Sequence, residues 1–123
     1  MKRVLNVGQC VPDHAAIRSL VERRFGAQVV GADNLKEALA ALGQGAFDLV
    51  LVNRKLDVDY SDGMEIIRHL KADEQYTAVP VMLVTNYPEH QQQAVAAGAE
   101  PGFGKAELGT PATLEKLAKF LKE

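Results

Sequence analysis

The chain has 123 residues, 47% hydrophobic and 24% charged, with a formal net charge of -2. That length suits one domain able to bury about two thirds of its unfolded surface, and the near-neutral charge gives no electrostatic reason to expect nucleic acid or an anionic membrane as partner. The single cysteine, Cys10, excludes an internal disulfide, and no apolar run approaches the roughly 20 residues of a spanning helix, so the expected setting is cytoplasmic.

In chain order, residues 3–7 read as a short apolar strand, followed by the loop Gly8-Gln9-Cys10-Val11-Pro12. Asp13 is expected to cap a helix that carries Ile17, Leu20, Val21 and Phe25 at helical spacing and stops at Gly26. A thinner strand is expected over 28–31. Asn34 with Glu37 three residues on then matches a capping box for a helix bearing Leu35, Ala38, Leu39 and Leu42. The strongest signal in the chain is 48–53, Asp48-Leu49-Val50-Leu51-Val52-Asn53, an apolar run without alternation. Such a run belongs to a strand covered on both faces, as at the centre of a parallel sheet.

A polar loop, 54–61, separates this strand from a helix over 63–71, with Asp62 as its cap and Met64, Ile67 and Leu70 on one face. Pro80 introduces a fourth strand, 81–84, ending at Thr85. Pro88 opens a short helix that stops at Gly98. The fifth strand, 102–104, holds two glycines and is expected from context rather than propensity. Thr110-Pro111 starts the last helix, with Leu114, Leu117, Ala118 and Leu121 as its apolar stripe. Strands alternating with helices mean right-handed βαβ units, hence a single doubly wound five-stranded parallel sheet with helices on both faces.

In open parallel sheets, chemistry collects at the carboxyl ends of the strands, which makes Asn53, where the central strand emerges, the first functional suspect. The strand ending at Asn53, the turn Asp62-Gly63-Met64-Glu65, the strand ending at Thr85, Gly98-Ala99 and Lys105 together resemble the receiver domains of bacterial response regulators, over the whole chain 1–123. The resemblance implies a (βα)5 flavodoxin-like fold and a part in phosphorelay signal transduction. In the family, an aspartate ending the third strand accepts a phosphoryl group, two acids after the first strand help hold Mg²⁺, and a Thr or Ser and a Lys end the fourth and fifth strands. Thr85 and Lys105 match. The acceptor position is Asn53, and the acid pair is Gly8 and Gln9.

An amide cannot form an acyl phosphate, and Mg²⁺ is normally held through carboxylates, phosphate oxygens and water. The chain is therefore expected to be a degenerate, pseudo-receiver type of domain with no metal, no cofactor and no enzymatic activity. It would act as a phosphorylation-independent protein interaction module whose partner is a signalling protein, such as a kinase or an output domain. Gly102 stands where the family's switch aromatic is usual, with Phe103 one place later. The resemblance places an interaction surface at the fourth helix, fifth strand and fifth helix, with His90, Phe103 and Leu114 on it.

With its usual carboxylates missing, Lys105 is expected to pair with Asp57 or Asp59 from the lengthened loop, or to have Lys55 in the space of the lost metal. The remaining features read blandly. His14, His69 and His90 have no ligand spacing. Cys10 reads as a half-buried small hydrophobe, Asp57, Asp59 and Asp62 as a solvated loop plus a cap, and Thr85 as a strand-end residue without a neighbouring base. Two alternatives remain: a true phosphorelay receiver using a non-standard acid such as Asp57, and a small doubly wound domain binding a nucleotide, flavin or corrinoid. The lone Gly8 makes no phosphate loop.

Overall fold

Leu49, Val50, Leu51 and Val52 are all fully buried, and the strand they form is flanked by a partner on each side. In the computed structural model, which describes residues 1–123, five strands alternate with five α-helices. They are β1 (Arg3–Val7), α1 (Val11–Phe25), β2 (Gln28–Ala32), α2 (Leu35–Gln44), β3 (Leu49–Asn53), α3 (Gly63–Ala72), β4 (Val81–Val84), α4 (Pro88–Ala96), β5 (Glu100–Phe103) and α5 (Pro111–Leu121). All strands are parallel, in the order β2-β1-β3-β4-β5. This is the expected doubly wound sheet, with β1 and β3 meeting where the strand order reverses.

The two faces of the sheet carry separate cores. Val4, Leu49, Leu51, Met82 and Val84 pack with Ile17, Val21, Leu117 and Leu121 from α1 and α5. Leu5, Val7, Val50, Val52 and Leu83 pack with Ala38, Leu42, Ile67, Leu70 and Ala94 from α2, α3 and α4. Alternate residues of one strand point to opposite faces, so a fully apolar strand such as β3 feeds both cores at once.

Capping fixes several helix starts. The Asn34 side chain accepts from Glu37 N at 2.9 Å, the Asp62 carboxylate accepts from Met64 N at 2.9 Å, and Thr110 caps α5 through Thr113 N. Three expectations shift. Helix α1 starts at Val11 rather than at Asp13, because Pro12 is pre-set for the first turn, which puts Asp13 inside that turn and frees its carboxylate. The fifth strand is Glu100–Phe103 rather than 102–104. A 3-10 turn over Lys105–Glu107, not expected from the sequence, links β5 to the last loop. No helix is long and apolar enough to cross a membrane.

Candidate functional site

Asn53 ends β3 half-buried, and its amide nitrogen is spent on backbone. Nδ2 donates to Lys55 O at 2.7 Å and to Gly8 O at 3.2 Å, so one side chain ties the loop after β3 to the loop after β1. Asp57 N donates to the same Gly8 carbonyl at 3.0 Å. Leu56 N to Ser61 O at 2.9 Å and Tyr60 N to Leu56 O at 2.8 Å close the loop on itself. An isolated antiparallel backbone β-bridge between Lys55 and Asp62 and a left-handed Tyr60 at φ 60° complete the turn. These bonds fold Leu56 inward, where it is 3% exposed and joins the α2–α4 core.

Leu56 sits directly over Gly8. A Cβ added at Gly8 would fall far inside van der Waals contact of Leu56 Cδ2, and Gly8 has φ 78°, a conformation that side chains disfavour. The space that a first acid would need at this strand end is therefore filled by hydrocarbon. Gln9 points elsewhere. It is 8% exposed, neither of its amide atoms has a partner, and it lines a different cleft between α1 and β2. The five residues grouped by the sequence thus separate: Asn53, Thr85 and Lys105 share one cleft of about 480 Å³ with Arg54, Lys55 and His90, while Gly8 and Gln9 do not line it.

Lys105 does not pair with Asp57 or Asp59. Its Nζ lies 2.7 Å from Asp13 Oδ2, the acid that the early start of α1 released. Asp57 and Asp59 are exposed. Asp59 accepts from Ser61 N and Ser61 Oγ, which hold its carboxyl below the usual range. Lys55 does not stand in for a metal either. Its ammonium lies 5.9 Å from the centre of the Tyr60 ring, and Leu56 is the residue that closes over Gly8.

The Lys105 ammonium, and then the Cys10 thiol donating at 3.1 Å, lower the pKa of Asp13. A lowered folded-state pKa means that the pair stabilises the fold above the unfolded carboxylate value near 3.8, and that this stability is lost as pH falls through the lowered value. The side chains are 36% and 32% exposed, so solvent screening keeps the contribution to about 0.5–1 kcal/mol. Asp13→Asn is expected to cost that amount at pH 7, with the difference from wild type vanishing in acid. Urea unfolding of both proteins across that range checks it, and a deficit unchanged by pH would assign the loss to something other than the ion pair.

Thr85 does have a neighbouring base. Its Oγ1 is 3.2 Å from His90 Nδ1, and the His90 ring meets the edge of Tyr87 with centroids 5.3 Å apart. No carboxylate bonds the other imidazole nitrogen, so the pair lacks the orienting third group of a nucleophilic site. Phe103 is 2% exposed and packed with Val84 and Leu117, so it is core rather than contact surface. Leu114 is partly buried against the same core. Nowhere do three or more His, Cys, Asp or Glu side chains gather as a metal would need.

Against known proteins, a family model described as the response regulator receiver domain matches residues 10–108. No curated protein matches. Among solved structures, the chain is similar to the chemotaxis protein CheY4 of Vibrio cholerae, with TM-score 0.76, 24% identity and 98% of each chain covered. The signal receiver domain of a DNA binding response regulator from Colwellia psychrerythraea gives TM-score 0.79 and 24% identity, covering 97% of this chain and 96% of that one. A third, NtrX of Brucella abortus, gives TM-score 0.73 and 20% identity, covering 95% of this chain and 28% of that longer one.

Proposed function

This chain belongs to the response regulator receiver domain family of two-component signalling, and from that premise we propose that it is a receiver without phosphoryl chemistry, working as a phosphorylation-independent interaction module rather than as an enzyme. The observation that carries this reading is Leu56 packed over Gly8, with the Asn53 amide spent on two carbonyls. The Mg²⁺ implied by the family does not fit these residues. A hard divalent cation needs oxygen donors, mainly carboxylates, and around this strand end the side chains offer hydrocarbon, the single neutral oxygen of the Asn53 amide and one carboxylate, Asp13, already neutralised by Lys105.

The family's output face is α4, β5 and α5. In this chain Tyr87, at the start of α4, is 59% exposed and Val95, near its end, is 44% exposed, and a groove lined by Gln91, Val95, Pro101 and Lys116 runs between α4 and β5. An exposed valine among amides and a cation, with an exposed tyrosine at the other end of the same helix, suits a protein partner, a kinase or output domain of the signalling system. His90 supports this face by holding Thr85 and Tyr87. Phe103, being core, shapes it only from below.

Incubating the protein with Mg²⁺ and acetyl phosphate, then weighing it intact, tests the chemical half of the reading. No phosphoryl adduct is expected beyond that of a denatured control. A hydroxylamine-labile adduct would overturn the reading, and its position would decide whether a non-standard acid such as Asp57 is the acceptor.

A further inference from the structure

Away from the strand-end pocket, a cleft of about 610 Å³ opens between α1 and the edge formed by β1 and β2. That volume is typical of small-molecule sites. Two side chains in its wall are almost wholly buried and incompletely bonded. Asn6, 1% exposed, shares a 3.1 Å hydrogen bond with His14 Nδ1 through Nδ2 and leaves Oδ1 without a partner. Gln9, 8% exposed, leaves both Oε1 and Nε2 without one. A buried polar atom without a hydrogen bond costs about 1–3 kcal/mol, and three in one wall call for a compensating role. Gly31, opposite Asn6 in the sheet register, leaves room there for the His14 ring.

We propose that this cleft binds a small uncharged planar heterocycle carrying a hydrogen-bond donor and acceptor side by side, the edge chemistry of a nucleobase, and that the Gln9 carboxamide reads it. The charge of the lining selects an uncharged ligand: Arg18 and Arg23 are matched by Glu22 and Asp33, and Arg18 is already bonded to Glu22 at 2.8 Å. The carboxamide selects the edge. It offers one acceptor and two donors in a plane, the complement of an adjacent donor and acceptor. Its atoms are shut from solvent until a ligand draws the side chain toward the cleft, and in doing so the ligand ends their unpaired state. The site is independent of the Asn53 pocket and stands or falls separately from it.

The test is an NMR titration of the ¹⁵N-labelled chain with adenine and, separately, uracil, read at the side-chain amides of Gln9 and Asn6. Saturable shifts at both side chains with at least one base are expected, at millimolar concentrations or below. Gln9→Met should weaken that binding at least tenfold. Gly31→Val, at an exposed edge-strand position, should block the same cleft if the first variant does not fold. Side-chain amides that cross-relax with bound water and ignore both bases would overturn the proposal, leaving hydration alone in the cleft. Shifts that survive both substitutions would overturn it equally.

Discussion

Gly8→Asp, the substitution that would begin to restore an acidic pocket, is expected to destabilise the domain by about 3–9 kcal/mol. Three costs act at the same atom. The backbone at φ 78° is left-handed, a strain of about 1–3 kcal/mol for a residue with a side chain. The new Cβ runs into buried Leu56, and overpacking a filled site costs about 1–3 kcal/mol. A carboxylate held there has no positive partner, since Lys105 is engaged by Asp13, which adds about 1–3 kcal/mol. Against a total stability of about 5–15 kcal/mol, the variant should be marginal. Leu56→Ala alone should also destabilise, by about 2–5 kcal/mol. Combined, the two changes should cost at least about 1 kcal/mol less than their sum, because the smaller side chain makes the room that the carboxylate lacks. Guanidinium unfolding of the four proteins gives the cycle, and strictly additive costs would mean that Leu56 is not what excludes an acid at position 8.

Asn53→Asp is expected to lose about 2–4 kcal/mol and to gain no phosphoryl group. The two side chains are nearly the same size, so the change isolates the loss of a donor. Nδ2 serves two carbonyls, Gly8 O and Lys55 O. A carboxylate faces the same oxygens with no hydrogen to give, losing about 1 kcal/mol per bond and adding repulsion. The new group is therefore easier to protonate in the folded than in the unfolded chain, where its pKa is about 3.9. The folded state then binds the extra proton, so the variant's deficit is smallest in acid and grows as pH rises through the raised value. Chemical unfolding of variant and wild type across that range measures it. A deficit of the same size at every pH would show that the ionised carboxylate is not repelled by the two carbonyls, and stable phosphorylation by acetyl phosphate would show that Asn53 alone silences the pocket.

The fold was legible where several residues carried one message. The unbroken run at Leu49–Asn53 located the central strand, and Asn34, Asp62 and Thr110 marked helix starts through side chains that do cap. The site was less legible because its decisive contacts join loops. Leu56 lies between Lys55 and Asp57 in a charged stretch, and a lone apolar residue in such a loop is itself the signal that something folds inward. Asp13 was read as a cap because acids favour that position, but Pro12 sets the first turn and the cap position falls three residues earlier, at Cys10. That displacement of the helix start carries the carboxylate to Lys105. Phe103 was placed on the surface by family analogy, whereas it ends β5 with its side chain in the core beside Val84 and Leu117. Nothing in the pattern of residues distinguishes Gln9 facing the α1–β2 cleft from Gln9 facing Asn53. That choice depends on the backbone path after Gly8.

The most direct measurement is an NMR titration of the wild-type backbone amides with Mg²⁺ and then beryllofluoride, which mimics a phosphoryl group on a carboxylate. The amides of Asn53, Thr85, Lys105 and Leu56 are expected to stay in place at millimolar concentrations, because hydrocarbon and spent hydrogen bonds leave no seat for either ion. Joint, saturable shifts of those amides would contradict a closed pocket and return the domain to the phosphorylated switches of its family.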